Sequence, residues 1–487
     1  MSNSAESAIV VPGDAGAADA AHAPPPPLSL GAAIREALRG THRDFTEGTV
    51  AHAILILAIP MVLEMIMESV FAVCDVFFVS KLGASAVATV GLTESWVTLV
   101  FALAMGLAIA TSATVARRTG ERDREGAARA ATQGILLGLA LAAILGVIGG
   151  ALAPQALRVM GASPDVVAQG TGYARVMLGG NVTIVMLFLI NAIFRGAGDA
   201  AIAMRVLWLA NAINIVLGPC LIFGLGPFPR LGVTGAAIAT NIGRGTGALF
   251  ALSRLLKPGS RIDIHVRHLK IEPALIGKLL QLAWSAALQF LIGMGSWIAL
   301  VRILSSFGSD TLAGYTIGIR VIMFTILPAS GVANAAATMV GQALGARKPE
   351  RAEQAVKIAG KYNMFVLTAV GVVLGLGAPL IAHVFTSDPE VASNATNLLR
   401  VVAFGYPLYG WGMVFGQSFN GAGDTRTPTL LNLAVFWCWE IPLAFVLAIV
   451  FKLGPFGVFV AMAIAFSTYA LAGRWAFNRG TWKLRRI

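Results

Sequence analysis

Residues 194–199 read Phe-Arg-Gly-Ala-Gly-Asp and residues 419–424 read Phe-Asn-Gly-Ala-Gly-Asp, so one short signature returns after 225 residues (194 to 419). The same offset pairs Leu82-Gly83 with Phe307-Gly308, Gly120 with Gly345, Arg122 with Arg347, Glu125 with Glu350, Pro164 with Pro389 and Arg175 with Arg400. It also pairs Gly232-Val233 with Gly457-Val458. A register held this long marks a tandem duplication, and each unit must be stable beside a near copy of itself. Each unit is also intensely apolar: the chain is 57% hydrophobic and 12% charged, with a mean hydropathy of +0.77. That composition excludes an ordinary soluble domain and places most of the chain in lipid. Two related apolar lobes are a secondary-transporter design, so function is sought between them.

Cutting the chain at charged or Gly/Pro-rich breaks gives six candidate spans per unit. They are 53–79, 86–115, 128–152, 168–194, 203–224 and 232–253, then 278–304, 314–340, 358–385, 393–419, 428–451 and 456–477. The expected fold is all-α and integral to the membrane: twelve helices in two pseudo-symmetric six-helix lobes. An even number per unit makes the repeats parallel. Ser163-Pro164-Asp165 and Asp388-Pro389-Glu390 each put a capping side chain, a proline and an acid ahead of an apolar run, which predicts helix starts at spans four and ten. The expected organisation is a disordered cytoplasmic tail at 1–45, a first lobe at 46–256, a linker at 257–277, a second lobe at 278–480 and a basic tail at 481–487. The start of the chain lacks the pattern of a signal peptide.

The net charge of +12 does not imply nucleic acid, because the basic residues lie in short runs between apolar segments. Alternate loops carry them: Arg35, Arg39 and Arg43, the run 117–129, Arg195 and Arg205, 254–278, 347–361, Arg426 and 474–486. The other loops hold only Lys81, Arg158, Arg230 and Lys452, which puts both termini on the cytoplasmic side. Cys74, Cys220 and Cys438 fall in apolar segments and offer neither a disulfide framework nor a zinc cluster.

Charges inside spans carry the functional signal, because ionisable groups at membrane depth mark cavities, ions or partners. Glu64, Glu68 and Asp75 in span one fall within about 40° of one another around the helix, a stripe roughly 16 Å long. Two readings are open for the stripe: a buried pairing with Arg175, Arg302 or Arg320, or a site for a cation or proton. Pro60 removes a backbone bond just before the stripe and is a candidate hinge. Asn181 and Asn191, Asn211 and Asn214, and Thr240 and Asn241 add polar groups in spans four to six. The second unit differs: Gln289 replaces Glu64, Gly293 replaces Glu68, Leu300 replaces Asp75, and its mid-span acid is Glu440. The candidate substrate cavity is therefore Glu64, Glu68, Asn181 and Glu440. Arg175 and Arg400, matched between units, suggest a shared architectural task, and Glu94 stands alone in span two.

A proline in span one followed by "FAVCDVFFVSKLG", then "FRGAGD", "NIVLGPCLIFG", "GVTGAAIAT" and "FNGAGDTRTPTLLN", resembles the multidrug and toxic compound extrusion (MATE) transporters over about residues 50–480. The resemblance implies a two-lobed antiporter that exports bulky, often cationic, organic compounds against inward H⁺ or Na⁺. Asp75 matches the acid that takes the coupling ion, with Asn191, Asn214 and Thr240 matching its polar partners and Glu68 standing where relatives often carry glutamine. Na⁺, if it is the ion, would sit at Asp75, Asn214 and Thr240. One departure bears on this: the span-five motif Leu-Asp-Pro reads Leu217-Gly218-Pro219 here, which tilts the reading towards H⁺. No cofactor is expected beyond the coupling ion, and the partners expected are small organic substrates and the bilayer, with the protein acting as a monomer. A lipid-linked saccharide flippase of the same superfamily is the alternative. An integral-membrane enzyme is a remote one, since the loops offer no paired carboxylates or metal cluster.

Overall fold

The computed structural model describes residues 30–40, 43–257 and 259–485. Eleven of its helices are long and apolar enough to cross a membrane: Val50–Ser80, Ala84–Gly120, Arg124–Ala151, Pro164–Gly196, Ala200–Phe223, Pro273–Phe307, Ser309–Gly345, Pro349–Phe385, Pro389–Gly421, Arg426–Val450 and Pro455–Asn478. The expected sixth span is also a helix, Val233–Leu255, but Thr234, Thr240, Asn241, Arg244 and Arg254 make it markedly less apolar than the rest. Its 23 residues still reach about 34 Å, enough for a bilayer core. Ordered along the chain, these twelve helices are spans one to twelve below.

Both proline-led starts form as written. Ser163 accepts from the Val166 amide at 3.4 Å, and Asp388 accepts from the Glu390 and Val391 amides at 2.9 and 3.1 Å. Span four is then interrupted between Pro164–Gly179 and Val182–Gly196, whereas span ten runs unbroken. Span eleven is wound with wide π-type turns over Leu433–Glu440 and Val446–Val450, unlike its α-helical mate, span five. The repeat register slips at the last spans. Gly232 and Gly454 are the equivalent caps, with φ of 58° and 60°, so Gly232 pairs with Gly454 and not with Gly457 as the dipeptide match suggested. The loop before span twelve is shorter than the one before span six, which shifts the register.

The two halves meet at the end that carries the basic loops. Glycines let spans two and eight touch backbone to backbone there. A Cβ added at Gly120 would lie 2.0 Å from the Gln342 carbonyl oxygen, and one at Gly345 2.1 Å from that of Arg117. Gly120 and Gly345 are repeat mates, as are Arg117 and Gln342, so the contact is related to itself by the pseudo-two-fold axis. Spans one and seven cross over between the halves. Val50, Ile54, Leu57 and Met61 pack in a core with Val332, Met339, Phe415 and Phe419 of the second half. Leu279 and Ala283 pack with Leu107, Leu187 and Ile193 of the first. The boundary at 46–256 thus divides the sequence but not the packing.

The terminal segments also differ from free tails. Residues 1–29 lie outside the described residues, but Leu30–Arg39 is a helix whose last carbonyls, of Leu38 and Arg39, accept from Arg205 at 2.7 and 2.9 Å. Residues 44–48 form a strap between the halves. Arg122 of the first half reaches the Asp44 and Glu47 carboxylates at 2.9 and 2.7 Å. Arg351 of the second donates to the carbonyls of Phe45, Glu47 and Gly48 at 2.6–2.9 Å. Burial works against the charged form of Asp44, yet hydrogen bonds from Thr46 and Arg122 hold its carboxyl below the ordinary value. At the other terminus Trp482 is fully buried and stacked on Phe477, Arg485 pairs with Asp424 at 3.3 Å, and Arg117 donates to the Arg485 carbonyl at 2.9 Å. The segment expected as a tail is docked from 481 to 485.

Candidate functional site

The three carboxylates of span one share a face, and each meets a different neighbour. Glu64 is 1% exposed and accepts from the Arg195 guanidinium at 2.6 Å, with Asn191 at 3.4 Å from the same oxygen. Its other oxygen has no partner among the described residues. Arg195 ends span four, and its own carbonyl accepts from Thr338 of span eight, while the next carbonyl, of Gly196, accepts from Gln342. The ion pair is therefore anchored across the seam. This settles the partner of Glu64: it is Arg195, which alternating loop charges had assigned to a loop, and not Arg175, Arg302 or Arg320.

Glu68, four residues on, accepts from Asn211 of span five at 3.0 Å and faces Arg244 of span six at 3.5 Å. Asp75 is half-buried and carries no hydrogen bond among the described residues; the charges acting on it and around it are those of Arg244 and Glu94, with the Tyr173 hydroxyl nearby. Arg244 lies over the Phe71 and Phe188 rings at 5.6 and 5.7 Å, so two carboxylates of the stripe share one guanidinium held by aromatic faces. Asn214 donates to the Thr240 hydroxyl at 3.0 Å, both buried. A Cβ added at Gly218 would meet only the Asn214 side-chain oxygen, at 3.8 Å, so the residue that replaces the motif's aspartate borders this pair and leaves room beside it.

The expected ion-coupling set thus separates. Asn191 belongs with Glu64 and Arg195, Glu68 with Asn211 and Arg244, and Asn214 with Thr240. Among the described residues no three His, Cys, Asp or Glu side chains are placed to hold a metal ion. The Na⁺ set expected at Asp75, Asn214 and Thr240 comprises oxygen donors suited to a hard cation, but no hydrogen bond joins Asp75 to the Asn214–Thr240 pair among the described residues.

The cavity lies elsewhere than expected. A space of about 580 Å³ opens between the halves, bounded by Glu94, Phe101 and Arg244 on one side and by Phe290, Met294, Trp297, Met323, Tyr409, Met413, Phe436 and Tyr469 on the other. None of Glu64, Glu68, Asn181 or Glu440 lines it. Asn181 serves the break in span four, donating to the Leu178 carbonyl at 2.6 Å, while Asn241 donates to that of Val176 at 3.0 Å. Asn181 thus takes up a carbonyl that the broken helix frees inside lipid, whereas the Val176 carbonyl also keeps its helical bond from the Gly180 amide at 2.9 Å. Glu440 is 1% exposed with one unpartnered oxygen and lies behind the wall, near Tyr315 and Tyr409. Arg175 donates to the Gly150 carbonyl at 3.4 Å, but its repeat mate Arg400 is exposed and makes no hydrogen bond or ion pair among the described residues, so the task expected of the two is not shared. Pro60 is buried in a continuous helix, at the point where span one leaves the core of the second half; a Cβ on Gly331 would lie 2.6 Å from the Val62 nitrogen just beyond it.

Sequence reasoning missed Arg244 as the common neighbour of Glu68 and Asp75, and left Glu94 without a task. The signal for the first was a cation in the middle of the least apolar span. Nothing in the spacing of aromatics marked the wall formed by the second half.

The MatE family matches residues 60–220 and 285–446, two segments whose starts are again 225 residues apart (60 to 285). The chain belongs to the MatE family. Relatives include the probable multidrug resistance protein YoeA of Bacillus subtilis, 25% identical over 88% of this chain and 93% of that protein. The probable multidrug resistance protein NorM of Thermotoga maritima is 25% identical over the same shares. A crystal structure of a MATE protein in complex with MaL6 superposes with a TM-score of 0.85 at 30% identity, covering 91% of this chain and 99% of the other. The MatE fold is thus that of a multi-pass membrane protein whose regular structure, among the described residues, is all helical.

Proposed function

We propose that this MatE protein is an exporter of bulky organic cations, driven by inward H⁺ or Na⁺ and rocking between states open to either side of an inner membrane, with both termini cytoplasmic. The cavity between the halves carries this reading. Aromatic rings and methionines line it, and such walls accept flat, varied molecules by stacking and repacking. Its two charged side chains are Glu94 and Arg244. Arg244 is committed to Glu68 and two rings, while the Glu94 carboxylate makes no hydrogen bond or ion pair among the described residues and feels the Arg320 charge only from a distance, leaving it to meet a cation. A flippase for lipid diphosphates would need the opposite balance, and the names of the relatives speak for transport over catalysis. Asp75, close to both Arg244 and Glu94, is the group proposed to take the coupling ion, because an ion arriving there changes the charge next to the cavity. Coupling requires that ion and substrate favour opposite states.

In proteoliposomes the wild-type protein is expected to export a dye cation under an imposed H⁺ or Na⁺ gradient, and Asp75→Asn to fall to background while still inserting. Glu94→Gln is expected to raise the half-saturating dye concentration about tenfold, the scale of one lost charge contact. Gradient-driven export at the wild-type rate by the Asp75 variant would sink this mechanism. The empty place beside Asn214 gives a further expectation: Gly218→Asp adds a carboxylate to the Asn214–Thr240 pair and should make transport more dependent on Na⁺, read as the ratio of Na⁺-driven to H⁺-driven rates. An unchanged ratio would remove Gly218 from the account of ion choice.

A further inference from the structure

A second cavity, of about 210 Å³, lies at the basic end between the starts of spans seven and eleven and the docked C-terminal segment. Lys278, Arg426 and Arg485 border it, with Gln281, Ser285 and Thr425 as neutral polar groups. Its one carboxylate, Asp424, is 2% exposed and already committed: one oxygen faces Arg485 at 3.3 Å and the Thr427 amide at 3.4 Å, the other accepts from the Thr427 hydroxyl at 2.7 Å. Lys278 and Arg426 make no ion pair among the described residues. The cavity therefore holds three cations against one satisfied anion, a surplus that no group among the described residues answers. Its position gives that surplus a meaning. Spans seven and eleven are joined there by the Thr429 hydroxyl on the Ser285 carbonyl at 2.8 Å. Within about two turns of Lys278 and Arg426 the same helices expose Leu280, Trp284, Leu430 and Leu433. On span eleven Leu430 and Leu433 share the face of Arg426, so exposed apolar surface runs along that helix beside the cationic pocket, while Leu280 and Trp284 stand on another face of span seven, the tryptophan at the level expected of a membrane interface.

We propose that this pocket binds the phosphate headgroup of an anionic phospholipid, with the acyl chains lying along span eleven. Basic pockets between helices on the side rich in anionic lipid have this use. The phosphate offers acceptor oxygens to Lys278, Arg426 and Arg485 together, and Arg is suited to meeting two of them at once. The apolar surface beside the pocket distinguishes a lipid from free phosphate, which gains nothing from it. Because Arg485 is tied through its carbonyl to Arg117 of the first half, an occupied pocket braces the closed seam.

Binding to the full-length purified protein, read by native mass spectrometry and by melting temperature, tests the assignment with phosphatidylglycerol, phosphatidylcholine and inorganic phosphate as separate probes. Phosphatidylglycerol is expected to bind and stabilise, and the other two to do neither. The variant Lys278→Gln/Arg426→Gln is expected to weaken phosphatidylglycerol binding about 30-fold, from about fivefold per surface charge. The charge-matched control Lys357→Gln/Lys361→Gln, at exposed positions on the same end, should leave it unchanged. Equal loss in both variants, or no loss in the first, overturns the site. Stabilisation by inorganic phosphate equal to that by the lipid overturns the lipid and leaves a free-anion pocket.

Discussion

Methionine at Arg195 is expected to destabilise the protein by about 3–5 kcal/mol, the scale for leaving one member of a buried ion pair uncompensated. Glu64 is almost fully buried, one of its oxygens already lacks a partner, and the Asn191 amide at 3.4 Å is too weak a contact to hold a carboxylate alone. The duplication supplies the rescue. At the repeat positions of Glu64 and Arg195 stand Gln289 and Asn420, so where one half has a charge pair the other has two amides. Arg195 and Asn420 even border the same small cavity on the seam, of about 60 Å³. The double variant Glu64→Gln/Arg195→Asn removes both charges together, as in the second half, where Asn420 bonds to Gln417 and not to Gln289, and should regain most of the loss because no buried charge is left uncompensated. Melting temperature in detergent checks both steps. A single Arg195 variant as stable as the wild type would mean that Glu64 keeps its proton and needs no counter-charge.

The second large effect concerns the seam. Alanine at both Gly120 and Gly345 is expected to part spans two and eight at their basic ends, because each new Cβ would sit about 2 Å from a carbonyl oxygen and must push it back by about 1 Å. The two strains add on one axis, since the contacts are repeat mates. Alanine suits a helix interior better than glycine, so the helices themselves should persist. Spin labels at Arg124→Cys and Glu350→Cys should report a longer and broader distance, and dye export should fall because the state closed at this end loses population. An unchanged distance with full transport would show that the seam yields without cost.

The duplication, the spans and the proline-led starts were legible because they are written in composition and local spacing, which lipid enforces strongly. Partners were not. Arg195 stands at the end of an apolar run, and counting charges along loops cannot distinguish a cation in water from one folded back under a neighbouring helix. Asn181 looked like a cavity amide because a polar residue between apolar ones gives the same pattern whether it faces a ligand or mends a broken helix. Tyr409, Phe436 and Tyr469 were invisible as a wall, since aromatics at helical spacing read equally well as core. The slip from Gly457 to Gly454 shows a different limit: a dipeptide match outvoted the cap geometry, which only the backbone reveals. Arg244 was within reach, as the cation that most lowers the hydropathy of span six.

The crossing of spans one and seven bears on how the chain came to be. Each half lends the start of its leading helix to the core of the other, so a lone half would expose the groove that Val50–Met61 or Leu279 and Ala283 now fill. A single-unit ancestor could close that groove only by exchanging leading helices with a second copy. Gene fusion would then have joined an interlocked pair already obliged to stay together, freeing each copy to drift. The drift is visible: one copy kept the carboxylates of its leading helix and the other the aromatic wall.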